Sequence, residues 1–221
     1  MNHRLPLTAP QRGIWFADRL SPDPAAFVTA DLVKLPAAVD PHRLAGAVAT
    51  ALAEVPTLHA RIAADGAGVG GPWQEWPEAP VVDVPVLEMP DVATAEQWAQ
   101  VDSLRPIDAA TGSLCRQAVL RVAGAGTWWY QAIHHVATDG YATALIMRRA
   151  AEIHDSPGDP PPSRLRGPEV LLDLEARHAG SPQQKDDRAY WAATLAGADG
   201  AAGPAGERAL PMVRPVRVRC A

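Results

Sequence analysis

The sequence predicts an α/β or α+β fold, with strands mixed among helices of modest length. Three observations carry this. Capping residues followed by proline mark several helix starts. Runs rich in β-branched and aromatic residues, suited to strands, alternate with them. Hydrophobic residues make up 48% of the 221, ample for a packed core.

The elements follow in order along the chain. Thr8-Ala9-Pro10-Gln11 reads as a capping box with proline in the first turn, and IWFADRL continues it as a short helix. Pro22 and Pro24 end that helix, and FVTADLVKL reads as a strand. Asp40-Pro41 opens a second helix with Leu44, Val48, Leu52 and Val55 on one face. HARIA (59–63) and PWQEW (72–76) are strands about a glycine turn, and VVDVPVLEM (81–89) is a further extended piece. Thr94-Ala95-Glu96-Gln97 reads as another capping box, with Trp98, Val101 and Leu104 on one face. Residues 114–123 and 127–134 are two strands joined at Gly124-Ala125-Gly126. A helix from about Asp139 to Ile153 turns Ala142, Leu145, Ile146, Ala150 and Ile153 inward. The proline-rich stretch 155–163 is a loop, and helices follow near 168–179 and 182–196. The last of these starts at Ser181-Pro182-Gln183-Gln184 and stops before Gly197. Two regions result: a lobe over 1–197 and a linker-like basic tail over 198–221.

Composition removes several functions. Twenty Lys+Arg against 25 Asp+Glu give a net charge of −5, so no bulk positive field exists to hold nucleic acid or an anionic membrane. Cys115 and Cys220 stand far apart without CxxC spacing, which argues against a thiolate zinc site and a disulfide framework. No apolar run approaches the ~18 residues of a membrane span, and the start lacks a signal peptide's apolar stretch. A cytoplasmic location is the expectation. GAGVGG (66–71) matches G-x-G-x-x-G through Gly66, Gly68 and Gly71, but Pro72-Trp73 follows where a phosphate-binding helix would have to begin. A hairpin turn explains it better.

The segment with most chemistry is Ile133-His134-His135-Val136-Ala137-Thr138-Asp139-Gly140, two histidines at a strand end followed by an acid where a helix begins. Adjacent strand residues point to opposite faces, so only one imidazole faces a given cavity. One reading is a core histidine and a capping aspartate. A second is a general base near neutral pH. A third, a metal held by His134, His135 and Asp139, meets the difficulty that the two rings diverge and no fourth ligand lies nearby.

HHVATDG (134–140) resembles the HHxxxDG motif of non-ribosomal peptide synthetase condensation domains. LTAPQRGIWFADRL (7–20), EVPTLHARI (54–62), LRPIDAATGSLCRQAVL (104–120) and DDRAYWAATLAG (186–197) resemble the family's other segments in the same order. The family's domains are about twice as long, two chloramphenicol-acetyltransferase-like lobes in a V with the histidine motif at the cleft. The resemblance therefore implies an N-terminal lobe of that fold, with a second lobe of the same domain and peptidyl or aryl carrier proteins as partners.

It further implies amide formation between thioesters delivered on the carriers' phosphopantetheine arms, with no metal and no cofactor bound directly. His135 is then the catalytic, cleft-facing base or positioner and His134 its structural neighbour. Gly140 is implied to permit close approach of an arm. Asp139 is implied to pair with an arginine of the second segment. Here His59 stands where that arginine is usual, and Arg61, two positions on, is the substitute expected to reach Asp139. Two alternatives stay open: a related acyltransferase using free coenzyme A, and a non-catalytic half-domain that docks carrier proteins or tailoring enzymes.

Overall fold

The computed structural model describes residues 3–36, 38–64, 71–197 and 217–220. The chain runs β1 (His3–Pro6), α1 (Ala9–Leu20), β2 (Val28–Lys34), α2 (Pro41–Ala53), a 3-10 turn (Pro56–His59), β3 (Arg61–Ala64), β4 (Pro72–Trp76) and β5 (Val86–Met89). It continues with α3 (Val92–Ser103), β6 (Cys115–Val122), β7 (Gly126–His134), α4 (Gly140–Asp155), α5 (Pro168–His178), α6 (Pro182–Thr194) and β8 (Arg217–Cys220).

A five-stranded mixed sheet, ordered β5-β6-β7-β2-β8, forms the centre. β6, β7 and β2 are antiparallel, while β5 and β8 add as parallel outer strands. β6 and β7 make the expected hairpin, with Val122 opposite Gly126 and left-handed backbone at Gly124 and Gly126, a conformation open to glycine at no steric cost. A smaller antiparallel sheet, β1-β4-β3, lies beside it. Ala64 pairs with Pro72, so paired antiparallel strands flank the glycine segment, of which 66–70 lie outside the described residues.

Both faces of the large sheet are covered, which is why Thr127 to His134 of β7 are buried without interruption. On one face Trp128, Tyr130, Ala132, Ala118 and Leu120 pack with Trp15 of α1, Ala95 and Ala99 of α3, and Ile62 and Trp76 of the small sheet. On the other, Trp129, Ile133, Val119 and Val33 pack with Leu44, Val48 and Leu52 of α2 and Ile146 and Ala150 of α4. α5 and α6 enter neither core. Val170, Leu171, Leu174, Tyr190, Trp191 and Leu195 on them are exposed.

Val55 lies beyond the end of α2, and the start and inward face of α3 also differ from expectation. Thr94 does not cap α3. Asp91 does, its carboxylate accepting the Thr94 N–H at 2.7 Å, so the helix starts three residues earlier. Its inward face is consequently Ala95, Ala99, Asp102 and Ser103, with Trp98 half-buried, while Val101 and Leu104 are exposed.

Candidate active site

The histidine loop sits where β7 ends between its neighbours. The His134 N–H donates to the Leu114 carbonyl (2.9 Å) beside β6, and the His135 N–H to the Phe27 carbonyl (2.7 Å) beside β2. Strand alternation then separates the rings. His134, 2% exposed, lies on the α1 side. Its Nδ1 accepts the Val136 N–H at 3.1 Å, so the neutral ring carries its proton on Nε2. That nitrogen faces the Asp18 carboxylate at 3.6 Å, too long for a hydrogen bond but close enough for attraction. Burial holds the His134 pKa below the ordinary imidazole range, and Asp18 only partly opposes this.

His135 is half-buried. Its Nδ1 lies 2.7 Å from the Thr138 carbonyl. A carbonyl can only accept, so Nδ1 carries the proton of the neutral ring and Nε2 keeps a free lone pair. This is the orientation a proton acceptor requires.

Asp139 caps α4, its Oδ1 accepting the Ala142 N–H at 2.7 Å, and it is exposed. The expected Arg61–Asp139 pair is absent. Arg61 lies in the small sheet and donates through Nε and Nη2 to Glu75, at 2.9 and 2.6 Å, with its guanidinium 5.0 Å from the centre of the Trp73 ring. The 59–63 strand expectation needs correction too: His59 belongs to the 3-10 turn and is buried, whereas β3 begins at the exposed Arg61, so the two share no strand face. His59 does not replace it: buried beneath α2, it contacts the Leu52 carbonyl at 3.0 Å. Gly140 is the first residue of α4, and a Cβ built there meets nothing within 4 Å among the described residues, whose packing therefore does not demand glycine.

Reading the sequence missed other residues that shape the loop. Gln11 reaches the Val136 carbonyl at 3.2 Å. The Thr138 hydroxyl lies 3.4 Å from that of Thr143, which α4 buries. Both Gln11 and Thr138 fall inside quoted motifs, but their hydrogen bonds depend on tertiary placement.

A cavity of about 330 Å³ lies elsewhere, along the start of β6, and His135 does not line it. In its wall Asp102 accepts from Arg105 (2.7 Å), Arg116 (2.9 Å) and the Tyr130 hydroxyl (2.8 Å), while Arg116 also donates to the Asp102 and Arg105 carbonyls. This cluster ties α3 to the sheet, and we place the candidate site at the histidine loop, where His135 keeps one ring nitrogen unpaired. Cys115 borders the same cavity, but burial pushes its thiol up to about 11, which makes it a poor nucleophile. No group of three or more His, Cys, Asp or Glu among the described residues could hold a metal ion. No helix among them is long and apolar enough to cross a membrane.

Comparison with known proteins shows the family and the fold. The Condensation domain family model matches residues 1–205. The chain is 34% identical over 220 residues to an isonitrile lipopeptide synthase of Streptomyces coeruleorubidus, covering 96% of this chain and 15% of that protein. It is 32% identical over 192 residues to a dimodular nonribosomal peptide synthase of Bacillus subtilis, covering 84% of this chain and 8% of that protein. Among solved structures, the starter condensation domain of the rhizomide synthetase RzmA is similar with a TM-score of 0.73 and 27% identity, over 89% of this chain and 49% of the other. The chain thus spans about half of that solved domain and a small part of the curated relatives.

Proposed function

Because the chain belongs to the condensation-domain family of the non-ribosomal peptide synthetases, we propose that residues 1–197 form the histidine-bearing N-terminal lobe of such a domain, together with β8 of the expected tail, which pairs with β2 in the central sheet and so is not linker. The lobe would form an amide bond between acyl and aminoacyl groups tethered to carrier proteins. The observation that carries this reading is His135, whose Nδ1 is committed to the Thr138 carbonyl and whose Nε2 is left open.

The reaction needs little basicity at the outset. An ordinary α-amine titrates near ~7.7–8.0, so part of it is already nucleophilic at neutral pH. The amine lone pair attacks the thioester carbonyl, and a C–N bond forms as the carbonyl electrons move to oxygen. Nε2 of His135 takes the proton from nitrogen. The oxyanion then collapses, the C–S bond breaks, and the departing sulfur takes that proton from the imidazolium. General-base help of this kind is worth roughly 10²–10⁴-fold, whereas placing two tethered groups together can supply ~7–11 kcal/mol. Positioning is the larger contribution, and Gly140, with open space in front of it, gives one arm room to approach.

A single lobe supplies one wall of the cleft. The proposal therefore includes inactivity of this chain by itself. Losing half the positioning contribution, ~4–5 kcal/mol, slows turnover about a thousandfold. Mass spectrometry of carrier-bound product, after incubating the chain with loaded donor and acceptor carriers, tests this. Product at a rate comparable with a two-lobe domain contradicts the half-domain reading, and product from free coenzyme A thioester instead favours the related acyltransferase.

A further inference from the structure

The Gln11 side chain uses all four of its hydrogen-bonding positions. Its Oε1 accepts the Thr8 N–H and Gln74 Nε2, both at 3.0 Å. Its Nε2 donates to Gln74 Oε1 and to the Val136 carbonyl, both at 3.2 Å. Gln74 is fully buried in β4 and makes a further bond to the Pro6 carbonyl. Capping α1 needs only the acceptor, and glutamate serves as well as glutamine in a capping box. The two donated bonds are surplus to capping, and one of them ends on the residue that follows His135.

Val136 is thereby held from two directions. Its N–H is bound by His134 Nδ1 and its carbonyl by Gln11. We infer that Gln11 is a positioning residue for the histidine loop, fixing the Val136 peptide so that His135 keeps Nδ1 on the Thr138 carbonyl and Nε2 open. Only an amide does this, because the position needs a donor and an acceptor on one planar group. The inference rests on the proposed role of His135 for its importance to the reaction, but not for its geometry.

Nitrogen-resolved NMR of the His135 ring in the full chain provides the test, with Gln11→Glu and Thr8→Ala as variants. Gln11→Glu keeps the capping acceptor and removes both donors. It should turn a ring protonated on Nδ1 into a mixture with the Nε2-protonated form, and Val136 amide exchange should quicken by about tenfold, the weight of one hydrogen bond. Thr8→Ala weakens the cap and should leave the ring as in the parent protein. Should Gln11→Glu fail to fold, Gln11→Met, similar in shape and uncharged, carries the same expectation. A parent-like ring and unchanged exchange in the Gln11 variants overturn the inference. An equal change in Thr8→Ala also overturns it, since the effect would then pass through helix α1. The ring nitrogens report on Gln11 whether or not His135 takes part in amide formation, so failure of this inference and failure of that reading are separate results.

Discussion

His134 and His135 are one peptide apart and differ in every property that matters for chemistry: one is buried with both nitrogens directed into the protein, the other is half-buried with one nitrogen open. That divergence was legible in the sequence, because strand geometry alone demands it. The partner of Asp139 was not. A carboxylate beside a predicted helix start is equally consistent with an ion pair and a cap, and the choice depends on where Arg61 lies. Since Asp139 is an exposed cap, Asp139→Ala should cost about 1 kcal/mol, the usual worth of a capping side chain, not the ~3–5 kcal/mol of a broken buried pair. Thermal melting should therefore drop by about 2–4 °C, and Asp139→Ser should restore it. A fall several times larger would show that Asp139 is paired after all.

Helices with a single sharp start, such as α1 at Thr8 and α2 at Asp40, were readable from capping residues alone. α3 was not, because Asp91 and Thr94 both fit as caps, and only the folded helix shows Asp91 accepting the Thr94 N–H. Polar links between elements carry no periodic signal and stayed hidden. Arg149 of α4 is one: almost fully buried, it makes two bonds to Glu54 at the end of α2, at 2.7 and 2.8 Å, and a third to the Pro161 carbonyl. Arg149 in turn, before any other influence, holds the Glu54 carboxyl below its usual range. Glu54→Ala leaves a buried guanidinium with the Pro161 carbonyl and, at 3.5 Å, Glu152 as compensation, so it should cost about 3 kcal/mol in denaturant unfolding. A loss below about 1 kcal/mol would mean that Glu152 replaces Glu54, and the link between α2 and α4 would need another explanation.

At the scale of the whole molecule, stability should fall on acidification below neutral pH. Burial depresses His134 and His59, and Arg149 depresses Glu54. Unfolded imidazoles take up protons near ~6.5 while the folded ones resist, so the unfolded state binds more protons and stability falls as pH drops below about 6.5. Glu54 adds a loss of the same sign below about 4.3. Melting at pH 5.5 should come lower than at pH 7.5, and a melting temperature that rises on acidification would contradict the buried neutral imidazoles. The family was legible because five segments kept their order, whereas the open site followed only from the placement of the loop between β6 and β2. The central claim is that His135 performs the proton transfer in amide formation. It is tested most directly by joining this chain to the second half of a related condensation domain. Carrier-bound amide is then measured for the parent and for His135→Ala at equal protein folding. The account predicts a loss of roughly 10²–10⁴-fold for His135→Ala; equal rates for the two proteins would contradict it.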